Sequence, residues 1–192
     1  MDSTIETTPP DGTVEEIDGR AVIRFDRRFA HPVDRVWDAI ARPEQISKWW
    51  CGVNEVKLEL VEGGEFVMDM RGGPPELVEA IRTSFPEEPE PLVTNWTVLR
   101  VEPPHVFEHA RTRDPDEVVR WELEPDGDGC RLVVTHAVTS RTRAVESGYL
   151  PGWHLCLELL RELLDRRPVD WRDEWSGPRM AEIQGRYAAT EG

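Results

Sequence analysis

The chain has 192 residues, and its 23 lysines and arginines against 38 aspartates and glutamates leave a net charge of −15. That length suits a single domain with enough interior to fold without a disulfide or a structural metal. The charge argues against nucleic acid and anionic membrane as partners, because an acidic surface repels phosphates and no Lys/Arg run offsets it. Eight tryptophans against two tyrosines is the unusual feature of the composition; such rings fill cores or wall ligand pockets. Cys51, Cys130 and Cys156 are odd in number and widely spaced, which suggests reduced thiols. The opening MDSTIETTPPDGT has no apolar core of a signal peptide and no stretch approaches a membrane span, so a cytoplasmic placement is expected.

In chain order, residues 1–18 are rich in Thr, Pro, Asp and Glu, and a mobile tail is expected there. Arg20–Phe29 alternates apolar residues with charge, as a strand does. A helix follows His31-Pro32, with Pro32 suited to the first helical position and Val33, Val36, Trp37 and Ile40 on one face. Pro43 ends it and opens a second, short helix reaching Trp49-Trp50. A meander comes next: Asn54–Val61 and Glu65–Met70 flank a Glu-Gly-Gly turn. Residues 71–93 interrupt it with prolines and acids, leaving room for a short helix over Glu76–Thr83. Strands resume at Thr94–Glu102, Val106–Arg111, Val118–Glu124 and Arg131–Val138, which gives six or seven antiparallel strands joined by turns.

The last strong element runs from about Leu150 to Arg166, with Trp153, Leu157, Leu160 and Leu164 on one face and His154, Glu158 and Arg161 on or toward the other. Trp171, Trp175, Met180, Ile183 and Tyr187 mark an extension, 169–192, expected to lie back on the body of a domain spanning 19–168. An antiparallel sheet needs one face covered, and a single long helix is the large apolar element available to cover it. The fold class is therefore α+β, a curved antiparallel sheet wrapped around a C-terminal helix.

The run His31–Ile40 with Pro43–Trp50 resembles the opening of the activator of Hsp90 ATPase homologue 1-like proteins, a family of the SRPBCC, or START-like helix-grip, superfamily. Glu62–Phe66, Val98–Pro104, the hairpin Trp121–His136 and Gly152-Trp153 at the head of a Leu-rich helix follow in the family's order, so the resemblance spans residues 20–165. It implies the helix-grip fold with a cavity between sheet and helix. It leaves function open, since that scaffold hosts transport, cyclisation and co-chaperone work. The link at 71–93 is longer and more acidic than the family's usual one.

Strand alternation puts Phe66, Met68 and Met70 on one face, and likewise Leu99 with Val101, Phe107 with His109, Val119 with Trp121 and Leu123, and Leu132 with Val134 and His136. The apolar members read first as core; two inward imidazoles are more informative. The ligand-cavity set is accordingly Trp49, Trp50, Phe66, Met68, Phe107, His109, Trp121, His136, Trp153 and Leu157, around an expected dry-walled space of a few hundred cubic ångströms. The five histidines show no metal-binding spacing and no nucleophile elbow is present, so no metal, cofactor or catalytic residue is assigned. The leading expectation is a binding module for a small hydrophobic or aromatic molecule. The alternatives are a cyclase/aromatase-type enzyme using a cavity histidine, and a protein-interaction module whose partner is a chaperone or a second copy of the chain.

Overall fold

A computed structural model describes residues 11–84, 92–146, 148–175 and 177–188. Among them, β1 (Thr13–Ile17) pairs with β2 (Arg20–Phe29) through Asp18-Gly19, whose φ angles of 52° and 77° make the two-residue turn that matches strand twist. The tail expected over 1–18 is therefore wrong for residues 13–17, an edge strand; residues 1–10 lie outside the described residues. On β2 the inward positions are Ala21, Ile23, Phe25, Arg27 and Phe29. Arg27 stays on the apolar face by laying its guanidinium 4.9 Å from the centre of the Phe25 ring, and burial pushes its pKa down to about 10.

α1 (Val33–Ala41) and α2 (Pro43–Trp49) follow as the periodicity predicts, with Pro32 at the N-cap instead of the first helical position. Then come β3 (Glu55–Leu58), β4 (Glu65–Asp69), α3 (Pro75–Ser84), β5 (Val93–Glu102), β6 (Val106–Arg111), β7 (Asp114–Asp126) and β8 (Gly129–Val138). α3 occupies the place foreseen for a short helix, and residues 85–91 of that link lie outside the described residues. α4 (Arg141–Glu146) was not foreseen; its start is capped by Ser140, whose Oγ accepts from the Arg143 N–H at 3.1 Å. α5 (Tyr149–Leu164), α6 (Trp171–Trp175) and α7 (Pro178–Ala188) complete the chain.

The described strands form one antiparallel sheet of eight, in the order β1-β2-β8-β7-β6-β5-β4-β3. The six or seven expected become eight because β1 was missed. α5 lies in the concave face. Helical periodicity predicts a polar side bearing His154, yet His154 is 0 % exposed. α7 covers that side with Met180, Ile183 and Tyr187, so α5 is clasped all round by sheet, α1, α2 and α7. No helix among the described residues is long and apolar enough to cross a membrane.

One strand face differs from the alternation expected of it. β5 carries an irregularity between Val98 and Arg100, an extra residue that shifts the register against β6. Thr94, Trp96 and Val98 therefore point inward before it, Val101 follows after it, and Leu99, expected inside, is 42 % exposed.

Candidate functional site

The ten residues expected to line a cavity converge between the sheet and α5. Trp49 and Trp50 come from the end of α2, Phe66 and Met68 from β4, Phe107 and His109 from β6, Trp121 from β7, His136 from β8, and Trp153 and Leu157 from α5. Nine are buried and Trp50 is half-buried. Their aromatic members are in ring contact with one another. Trp50 sits 5.4 Å from Trp49, 5.1 Å from Trp153, 5.7 Å from Trp121 and 6.3 Å from Phe66, centroid to centroid, while Trp121 and Trp153 are 5.3 Å apart. Surface hollows lie elsewhere: one of about 370 Å³ is bounded by Ser47, Lys48, Leu163 and Trp171, and another of about 190 Å³ lies beside β1. Indoles are large enough to occupy the volume that smaller side chains would leave open.

Trp50 caps the C-terminal end of α2, its N–H donating to Ile46 O at 3.0 Å. Two residues on, Gly52 has φ +86°, and a Cβ there would stand 3.0 Å from Leu77 Cδ2 of α3, so the turn after Trp50 suits glycine on both counts. The Cys51 N–H donates to Cys156 Sγ at 3.2 Å, tying this turn to α5. Cys51, Cys130 and Cys156 are all free and buried.

The buried polar groups beside these rings form two sets. At the end of the grip near the start of α5, Glu117 Oε1 accepts from Tyr149 Oη at 2.9 Å and from His136 Nε2 at 3.3 Å, and lies 3.4 Å from Arg111 Nη1. Trp153 Nε1 donates to His136 Nδ1 at 3.0 Å. An indole N–H can only donate, so the His136 proton sits on Nε2, facing Glu117. Burial alone would raise the Glu117 carboxyl. The hydrogen bond from His136, the Arg111 charge and the Tyr149 hydroxyl outweigh it, and the group falls below the usual carboxylate range.

The second set is not closed. Trp121 Nε1 donates to His109 Nε2 at 3.3 Å, which by the same reasoning places the His109 proton on Nδ1. Burial, with His136 adding to it, pushes the His109 pKa down to about 3, so the ring is neutral. His109 Nδ1, Trp96 Nε1 and Thr94 Oγ1 have no hydrogen-bond partner among the described residues. Trp96 stands edge-on to His109 with centroids 4.9 Å apart, and His109 also meets Phe66 at 4.9 Å and Phe107 at 5.0 Å. Each buried donor without a partner costs about 1–3 kcal/mol.

Thr94, Trp96, Glu117 and Tyr149 were not among the sequence candidates. The β5 irregularity reversed the apparent facing of Trp96 and Thr94. Glu117 fell outside the strand expected from Val118, because β7 begins four residues earlier. The other histidines are structural ties. His31 Nε2 meets Asp165 Oδ1 at 2.7 Å, His105 Nδ1 donates to Leu123 O at 2.9 Å, and His154 lies between Tyr187 Oη at 2.7 Å and Glu158 Oε1 at 3.2 Å.

A strongly curved antiparallel sheet closed on a long C-terminal helix, with two short helices after the first long strand, defines a helix-grip protein of the START-like superfamily. The chain belongs to the activator of Hsp90 ATPase homologue 1-like family, whose profile matches residues 30–165. It is similar to CalU16 from Micromonospora echinospora. The crystal structure of that protein is 26 % identical with a TM-score of 0.62 over 93 % of this chain and 92 % of that one. Its solution structure is 25 % identical with a TM-score of 0.66 over 94 % and 90 %. Protein Ms6760 from Mycobacterium smegmatis shares the fold at 19 % identity and a TM-score of 0.59, over 82 % of this chain and 99 % of that one. No curated protein sequence matches the chain.

Proposed function

We propose that the protein binds a small hydrophobic or aromatic molecule between the sheet and α5. The observation that carries this reading is an aromatic interior that holds buried donors without partners, at Thr94, Trp96 and His109. Cores that serve only stability satisfy nearly all their polar groups. Entry requires room, and Trp50 is the ring placed to yield it: it alone of the ten is half-buried, and it hangs from a helix end followed by a glycine turn. If its indole swings outward, the faces of Phe66, Trp121 and Trp153 become the walls of a pocket. Acid–base catalysis fits less well. His109 titrates too low for a base at neutral pH, and both nitrogens of His136 are engaged.

Native mass spectrometry of protein isolated from its own host should show one bound apolar compound per chain. A ligand present at a hundred times its Kd should add about 2.7 kcal/mol of stability, raising Tm by about 5–10 °C for a chain of this size, with a change in tryptophan emission. Absence of a co-purifying compound, together with no thermal shift across a broad panel of apolar and aromatic molecules, would overturn the reading.

A further inference from the structure

The geometry points to an uncharged aromatic ligand with a hydrogen-bond-accepting oxygen, a ketone, quinone or phenol, whose oxygen is held by the His109 Nδ1–H and the Trp96 Nε1–H. This rests on the reading that the interior takes a small apolar molecule. His109 is 0 % exposed and Trp96 6 % exposed, and both come from adjacent strands with their rings in edge contact. Trp121 fixes the His109 tautomer by donating to Nε2, so the remaining nitrogen is a donor and cannot accept. The indole of Trp96 is likewise donor-only. Thr94 Oγ1, two residues away on the same face of β5, adds a hydroxyl without a partner.

This donor pair selects by charge as well as by hydrogen bonding. A cation or an ammonium group would meet N–H dipoles of the wrong sign. A hydrocarbon would leave both donors unsatisfied. A carboxylate would need a cation, and the buried cation nearby, Arg111, which lies 5.7 Å from the Trp96 ring, already faces the Glu117 carboxylate at 3.4 Å. A neutral acceptor fits what remains. Its apolar body would take the place of the Trp50 indole, which touches Phe66 and Trp121, the two side chains that in turn touch His109. The polar end of the ligand would then point one ring deeper, toward the donors. A two-ring frame matches the size of the indole it replaces.

The test is calorimetric titration of the full chain with 2-acetylnaphthalene, 2-ethylnaphthalene and 2-naphthoate, which share one frame and differ in the acceptor. The ketone should bind wild type roughly 10- to 100-fold more tightly than the ethyl compound. His109→Phe and Trp96→Phe should each bring that ratio toward one by weakening the ketone while leaving the ethyl compound unchanged. Near-ultraviolet circular dichroism checks that each variant is folded, and Trp96→Phe, which keeps an aromatic ring, tests the idea even if His109→Phe does not fold. Equal binding of ketone and ethyl compound to wild type would overturn the donor assignment and leave the apolar reading standing. Tightest binding of the naphthoate would overturn the neutral-acceptor class. No binding of any of the three would count against both.

Discussion

Glu117 is a carboxylate with 3 % of its surface exposed, and its neighbours decide its charge. Its pKa falls from 4.5 to about 2 on folding. The unfolded chain therefore binds the proton more tightly. The stability Glu117 contributes is complete above its unfolded value and is lost as pH falls through its folded one. Glu117→Gln should flatten the acid limb of the stability curve between pH 4.5 and about 2 without abolishing it, because Glu158, Asp165, Asp26 and Asp69 are held low as well. At neutral pH the variant should be less stable, since Arg111 loses its buried carboxylate. Urea unfolding at a series of pH values reads both effects, and an unchanged acid limb would refute the assignment. Alternation carried back from Trp121 and Val119 puts Glu117 on their face. Composition hid it: an acid between Asp114-Pro-Asp116 and Val118 reads as turn, although β7 already begins at Asp114. His109 and His136 were legible because alternation alone assigns their face.

At the scale of elements, periodicity works until a strand breaks its own period. β5 does so between Val98 and Arg100. Extrapolating from Val101 back through Leu99 then puts the wrong residues inside and hides Trp96. Val98→Ala should cost about 2 kcal/mol for the lost methyls and the space they leave, whereas Leu99→Ala should stay within about 0.5 kcal/mol. Equal losses in chemical denaturation would mean that the irregularity is misplaced. β1 departs from expectation for a different reason. Its composition is that of a solvated tail, yet Asp18-Gly19 beside the alternating β2 is a strong short-range hairpin signal, and that turn outweighs composition. Helices bounded by proline were read more surely than α4, since prolines at 32, 43, 151 and 168 mark ends that depend only on local backbone chemistry.

At the scale of the whole molecule, the grip itself was legible: a run of hairpin-linked strands and one long apolar helix leave few ways to cover a sheet. Whether the rings around that helix line a space or fill it was not, because that depends on rotamers and on how far α2 leans in. The covering of α5 is also a property of the whole chain. Tyr187 Oη lies 2.7 Å from His154 Nδ1 and accepts from the Gly12 N–H at 2.9 Å, so a single hydroxyl joins α7, α5 and the segment before β1. Arg186 reinforces the joint by pairing with Asp11 at 2.5 Å. Tyr187→Phe keeps the ring and removes that hydroxyl, leaving a buried imidazole and an amide to find other partners. Stability should fall by about 1–3 kcal/mol in urea unfolding, and no loss would show that the joint is not needed.

The strand order has a consequence for how the chain is made. β2 is flanked by β1 and β8, so on its far side the third element from the start of the sheet is the last of the described strands in chain order. As the polypeptide emerges from a ribosome, the β1–β2 hairpin must wait, its inner edge unpaired, while α1, α2 and the whole meander from β3 to β7 are translated. Only when β8 arrives can the sheet close, and α5, its covering, comes later still. Local pairings can form as they appear, but the join that makes the sheet whole spans most of the protein. That separation favours slow closure over early closure, and it leaves the nascent hairpin edge exposed to wrong strand partners until β8 has emerged.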